Sequence, residues 1–166
     1  TAMQTNALAV ARLLGAVRER APRCRVYQAS SSEMYGNSAP PQAEYTPMLL
    51  ASPYGVSKLA AHHIARVFRY SYGMFVSCGI CFNHESERRA RQFVSRKIAH
   101  GVAAIVVGNE DTLTLGDLDA ARDFGYAPDY VRGMVSILEH DYPDDFVLAT
   151  GHSHTIAQLA EAAFAA

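Results

Sequence analysis

Apolar side chains recur at helical spacing over residues 3–19, where Leu8, Ala11, Leu14 and Val17 form one stripe. Pro22 closes that helix. The period then changes. Residues 25–31, with Val26, Tyr27 and Ala29 ahead of a polar turn, read as a strand. Residues 36–53 hold Pro40, Pro41, Pro47 and Pro53 with no periodicity and read as a loop. A long helix follows: Ser52 can cap it, Pro53 suits its first turn, Ala61, Ile64, Ala65 and Phe68 give it a face, and Gly73 stops it. Residues 74–82, mostly apolar and without strict alternation, read as a buried strand. A polar loop over 83–91 leads to a helix over 92–102, then to two short strands over 104–107 and 112–115. An amphipathic helix over 127–140, a strand over 146–150 and a helix over 155–166 complete the pattern.

Helix–strand–helix–strand alternation indicates an α/β fold with a parallel sheet and helices on its faces. No Gly-x-Gly-x-x-Gly turn lies between a strand and a helix anywhere in the 166 residues. A complete dinucleotide-binding fold carries such a turn so that a pyrophosphate can approach the backbone. The chain also opens and closes inside helical patterns, so it is expected to be a piece of a longer protein.

Composition changes this picture only by exclusion. With 49% apolar residues, 19% charged and a net charge of −1, the chain is of ordinary globular type. Its basic residues are scattered, which argues against a nucleic-acid partner. The longest apolar stretch, 102–107, is too short to span a bilayer, and no secretory leader opens the sequence. Three cysteines, an odd number, argue against a disulfide framework. Cys78 and Cys81 form a Cys-x-x-Cys, but strand positions three apart point to opposite faces, so the two thiols are expected to be separate buried groups rather than a metal or redox pair.

Three segments carry chemistry. In Tyr54-Gly55-Val56-Ser57-Lys58, at the start of the long helix, residues four apart share a face, so a phenol meets an ammonium. A neighbouring cation favours the phenolate, which fits such a tyrosine to take a proton from a substrate hydroxyl. The pair also admits a plain reading, a tyrosine ring packed on a lysine stem. Ser30-Ser31-Ser32-Glu33-Met34-Tyr35-Gly36 stands at the C-terminal end of a strand, where open α/β sheets place their ligands, although a serine-capped turn has the same composition. Phe82-Asn83-His84-Glu85-Ser86-Glu87-Arg88-Arg89 follows another strand. Its adjacent arginines suit phosphate, or else a solvated loop.

Together these segments resemble the GDP-mannose 4,6-dehydratase family of extended short-chain dehydrogenase/reductases. Arg96-Lys97-Ile98, the run from Leu115 to Gly125 and Phe146-Val147-Leu148-Ala149-Thr150-Gly151 extend the likeness over nearly the whole chain. The resemblance implies the C-terminal part of a Rossmann-like doubly wound parallel sheet, with the first βαβ unit missing, plus part of a small substrate-binding domain. Residues 1–83 would be the second half of the dinucleotide-binding domain. Residues 84–166 would hold substrate-binding loops interleaved with the last Rossmann elements.

What the resemblance implies for chemistry is specific. With NADP as cofactor, GDP-mannose or a similar nucleotide sugar would be oxidised at C4, lose water across C5 and C6, and regain hydrogen at C6. Tyr54 falls at the base for the 4-hydroxyl and Lys58 at its cationic partner, which also holds the ribose; both therefore count as catalytic and cofactor-binding. Ser31 falls at the position that bonds the reacting hydroxyl, and Glu33 at the residue that removes the C5 proton. His84 and Arg89 match cofactor contacts, and Asn83, Glu85, Lys97 and Arg122 match positions around the sugar nucleotide. No metal is implied. A cytoplasmic homodimer or homotetramer is expected of the full-length protein, and no turnover of the 166-residue chain alone. The sequence departs from the family pattern at Glu87, where a proline is common, at Ala90-Arg91, which replaces a glycine-led pair, and at Phe124, which replaces a tryptophan. A truncated non-catalytic copy, and a related epimerase or reductase, stand as alternatives. Glu33 separates the last of these, because a reductase needs no base for C5.

Overall fold

A computed structural model describes residues 1–166, which divide into two compact units: Thr1–Phe82 with Tyr130–Leu148, and Asn83–Asp129 with Ala149–Ala166. None of the helices is long and apolar enough to cross a membrane.

The first unit is built on a parallel sheet of β1 (Val26–Ser31), β2 (Val76–Cys81) and β5 (Asp145–Leu148), in the order β1-β2-β5. Its central strand is buried at every position, Ser77 included, which accounts for a mostly apolar run without alternation. The first helix starts as a π-helical segment, Met3–Leu8, and continues as α1 (Ala9–Arg20). The long helix α2 (Pro53–Tyr72) has the ends the sequence implies. The Ser52 hydroxyl accepts from the Gly55 N–H, Pro53 lies in the first turn, and Gly73 terminates the helix at φ 62°. Leu14 of α1 and Ala65 of α2 pack with Met74, Val76 and Cys78 in one core cluster. Met34, Tyr35 and Ile80 form a second.

The loop between β1 and α2 is tied down at Gly36, which has φ 56° and bridges Leu49. A Cβ on Gly36 would run into the Leu49 carbonyl oxygen and come within 2.9 Å of the Ala51 nitrogen. Backbone cannot yield as a flexible side chain can, and the left-handed conformation adds strain for any residue with a Cβ. Gly36→Ala is therefore expected to cost about 2–3 kcal/mol, measured as a lowered midpoint of urea unfolding; an unchanged midpoint would refute the close approach.

The second unit contains a small mixed sheet in the order β3-β4-β6: β3 (Asn83–Glu85) is parallel to β4 (Ala121–Tyr126), and β6 (Ser153–Thr155) is antiparallel to it. The sequence reading placed a loop over 83–91 and expected no strand over 121–126 or 153–155. These strands are short and polar, and their ladder joins segments far apart in the chain. The helix α3 (Val94–Val106) overruns the expected strand over 104–107. Val94, Ile98, Val102 and Ile105 continue one helical row, which overrides the β-branched run, and the turn breaks at Gly108 with φ 76°. Residues 112–115 are not a strand either: Leu113 and Leu115 pack on the cluster of Ile98, Val102 and Ile156. The helix α4 (Ala127–Glu139) and the final helix α5 (Ile156–Ala165) lie where expected, with Thr155 and Gln158 forming a capping box on α5.

Candidate active site

In the first unit, β1 ends in a 3-10 turn, Ser32–Met34. The motif that spans this turn divides by role. Met34 and Tyr35 are fully buried core, and the Tyr35 hydroxyl donates to the Ala43 carbonyl at 2.8 Å. Ser31 caps the turn, its hydroxyl accepting from the Glu33 N–H at 3.3 Å, and the Glu33 side chain is exposed. The start of α2 packs directly on this turn. A Cβ at Gly55 would sit 2.6 Å from the Glu33 carbonyl oxygen, so the residue after Tyr54 abuts the residue that carries the carboxylate.

Tyr54 is 44% exposed, so its ring is not spent on core packing. Lys58 places its ammonium 5.7 Å from the Tyr54 ring centre and donates to the Ala29 carbonyl at 2.9 Å. An ammonium has three donors, so two remain for a ligand. The next residue of α2 toward its start, Ser57, is fully buried; it donates to the Tyr54 carbonyl at 2.7 Å and accepts from Asn6 at 3.0 Å. Ser31, Glu33, Tyr54 and Lys58 thus belong to one unit, on the end of β1, the turn that follows it and the start of α2 that abuts this turn. A phenol, an ammonium and a carboxylate there can divide a proton removal at oxygen from one at carbon.

Sequence reasoning missed a buried polar cluster beneath that group, formed by Ser30, His62, Arg69 and Asp145. Burial by itself would raise the Asp145 carboxyl, but hydrogen bonding to His62 and Arg69 and the Arg69 charge outweigh it and hold the group far below the ordinary range. Cys78 lies in the same cluster, 3.6 Å from Arg69 Nη2, and burial pushes its thiol up to about 12. His62, Cys78 and Asp145 come within 4.8 Å of one another, but the Arg69 guanidinium already occupies that space as the cation. Cys81 is separate from Cys78 and contacts the Tyr27 hydroxyl at 3.3 Å, as strand alternation requires. The one available signal was the helical spacing of Lys58, His62 and Arg69, which fits an amphipathic face equally well.

The second unit holds the other six expected residues. Asn83, His84 and Glu85 form β3 itself. The Glu85 carboxylate accepts from the Ser95 hydroxyl and pairs with Arg89 at 3.0 Å, four residues on. The Arg89 guanidinium also stacks 3.6 Å over the Phe93 ring. Glu85 lines a cavity of about 370 Å³ with Arg96 and Tyr126. Lys97 lines a different one, of about 310 Å³, with Arg91, His100 and Glu110. Arg122 lies on β4 opposite His154 and lines neither. Its neighbour Asp123 is buried and accepts from the Thr150 and Gly151 N–H groups, which fixes the turn before β6.

The family model described as GDP-mannose 4,6 dehydratase matches residues 1–166. The chain belongs to the GDP-mannose 4,6-dehydratase family. Within that family it is 45% identical over 157 residues to GDP-mannose 4,6 dehydratase 1 of Arabidopsis thaliana, covering 92% of this chain and 44% of the relative. To the GDP-mannose 4,6 dehydratase of Homo sapiens it is 48% identical over 141 residues, covering 84% of this chain and 38% of the relative. The chain therefore spans about two fifths of the length of such dehydratases. Among solved structures it is similar to RMD from Pseudomonas aeruginosa complexed with NADPH, with a TM-score of 0.90 and 28% identity over 96% of this chain and 56% of that one. The dTDP-glucose 4,6-dehydratase of Bacillus anthracis, at 23% identity and a TM-score of 0.87, shares the fold, with 98% of this chain and 52% of that chain covered. That fold is the Rossmann-like α/β type of this dehydratase family.

Proposed function

We propose that this chain forms part of the catalytic core of a full-length dehydratase that converts GDP-mannose to GDP-4-keto-6-deoxymannose. Family membership supports the reaction class, and one structural observation supports it further: the turn carrying Glu33 abuts the start of α2 carrying Tyr54 and Lys58. In this reading Tyr54 takes the proton of the sugar 4-hydroxyl while Lys58 holds its charge and binds the cofactor ribose. Ser31 bonds the same hydroxyl. Glu33 removes the proton at C5, which the neighbouring C4 carbonyl makes acidic, so that water can leave across C5 and C6. A bound nicotinamide supplies the oxidation at C4 and the return of hydrogen at C6. NADP is the form proposed, in line with the NADPH carried by the Pseudomonas aeruginosa structure. The first unit would be the second half of the dinucleotide-binding domain and the second unit part of the substrate-binding one. His84 and Arg89 would serve the cofactor, and Asn83, Glu85, Lys97 and Arg122 the sugar nucleotide. For Glu85 and Arg89 this entails opening their mutual ion pair.

The test is incubation of the full-length protein with NADP and GDP-mannose, with products read by mass spectrometry. Loss of one water is expected, and Glu33→Gln is expected to lower its rate by about 10²–10⁴-fold. Reaction in heavy water should also place solvent deuterium at C5. Water loss undiminished in Glu33→Gln would remove that residue from the mechanism. Turnover without water loss would move the function to an epimerase or reductase.

A further inference from the structure

The chain of contacts beneath the site starts at Asp145, the first residue of β5. Its carboxylate meets Arg69 Nη2 on one side and, on the other, His62 Nε2 at 3.4 Å and Arg66 Nη1 at 3.7 Å. Arg69 is itself anchored through Nε to the Val76 carbonyl at 2.9 Å. The opposite edge of the imidazole, Nδ1, lies 2.9 Å from the Ser30 hydroxyl. The carboxylate favours the proton on Nε2, so Nδ1 accepts from Ser30.

Serine, histidine and aspartate in this order form the pattern of a nucleophilic triad. Here it is sealed: Ser30 is 4% exposed and His62 1%, so no substrate reaches the hydroxyl. The arrangement instead grips β1. Lys58 bonds the Ala29 carbonyl, and His62, one helical turn further along α2, bonds the Ser30 side chain. Two successive turns of the helix that carries Tyr54 therefore hold the two residues immediately before Ser31. A hydroxyl accepts or donates only within a narrow distance and direction, so this pair of bonds fixes the register of helix against strand more sharply than apolar packing does.

We propose, on the functional reading above, that His62 is a positioning residue: braced by Asp145, it holds Ser30 and thereby sets Ser31 and Lys58 in register with Tyr54. His62 touches neither substrate nor cofactor. Its removal is expected to lower kcat without a matching change in KM, because groups displaced by about 1 Å lose rate before they lose binding.

Three variants of the full-length protein test this. His62→Phe removes both ring nitrogens, His62→Asn keeps a polar atom where Nδ1 bonds Ser30, and Ser30→Ala cuts the same bond with a smaller change. His62→Phe and Ser30→Ala are each expected to lower kcat about 10- to 100-fold. KM should stay within about threefold, the double variant should be no worse than either single, and His62→Asn should recover most of the loss. A readout independent of turnover is the ¹⁵N ammonium signal of Lys58 in NMR, which is visible while the group is held on Ala29. It should persist in His62→Asn and disappear in His62→Phe and Ser30→Ala. The proposal is overturned if kcat holds within about threefold in Ser30→Ala, if the two losses multiply in the double variant, or if a Leu14→Ala control of matched melting temperature loses as much. A wild type that dehydrates no nucleotide sugar would refute the functional reading instead, and the Lys58 signal would then decide the role of His62 alone.

Discussion

Replacing Tyr54 by Phe is expected to lower kcat for water loss from GDP-mannose by about 10²–10⁴-fold, the usual range for a group that moves a proton in the transition state. The change deletes one oxygen and keeps the ring. Nothing in the fold depends on that oxygen: the ring is half exposed, α2 is capped by Ser52 rather than by Tyr54, and Lys58 stays bonded to Ala29. The variant should therefore melt within a degree or two of the wild type and retain its affinity for the nucleotide sugar. Steady-state rates and a melting curve of the same preparation check both halves. A loss smaller than about tenfold would assign the proton to another group. Lys58→Met offers a second reading of the same pair. It should weaken cofactor binding as well as kcat, because the ammonium is proposed to hold the ribose.

The second large effect is on stability. The Arg69 side chain is 3% exposed and that of Asp145 9%, and the two are joined by an ion pair inside the first unit. Arg69→Met leaves a buried carboxylate without its nearest partner and also frees the Val76 carbonyl. Removing one member of such a pair is expected to cost about 3–5 kcal/mol. Removing both, as in Arg69→Met with Asp145→Leu, should return much of that loss, because no charge is then left desolvated. Urea unfolding of the singles and the double measures the coupling. The pH dependence follows from the depressed Asp145 carboxyl. Unfolded, this group titrates near the ordinary value of about 3.9. Folded, it holds its charge to lower pH, so the unfolded chain binds the proton first. Its contribution is therefore complete above about pH 4 and is lost as the pH falls toward the folded value. The wild type should lose stability steeply below pH 4, and Arg69→Met should show a shallower slope there. Equal slopes would mean that the pair contributes nothing to acid stability.

Much of the first unit was legible because its signals are local. The Ser52 cap, Pro53 and Gly73 bound α2 within a few residues of where they stand in the sequence, and the lack of polar alternation along β2 marks a strand buried on both faces. The second unit was harder to read. Ile105, Val106 and Val107 are β-branched and suggested a strand, yet the row from Val94 through Ile98 and Val102 has a face to bury and carries the helix through Val106. β3, β4 and β6 have three, six and three residues, mostly polar, and gain their ladder only from one another.

The same division runs through the site. By itself the sequence determined the α/β class and, through the likeness of its motifs, the family; it also singled out Ser31, Glu33, Tyr54 and Lys58 as expected site groups, the last two because residues four apart share a helical face. Tertiary structure alone decided that Gly55 lets α2 rest on the Glu33 turn, that Glu85 and Arg89 pair with each other, and that Ser30, His62, Arg69 and Asp145 meet beneath α2. These last four come from two strands and one helix, and Asp145 lies 76 residues beyond Arg69. Periodicity and caps report on neighbours within a turn or two of the chain; a bond that joins distant segments exists only once burial has removed the water that would otherwise satisfy its partners.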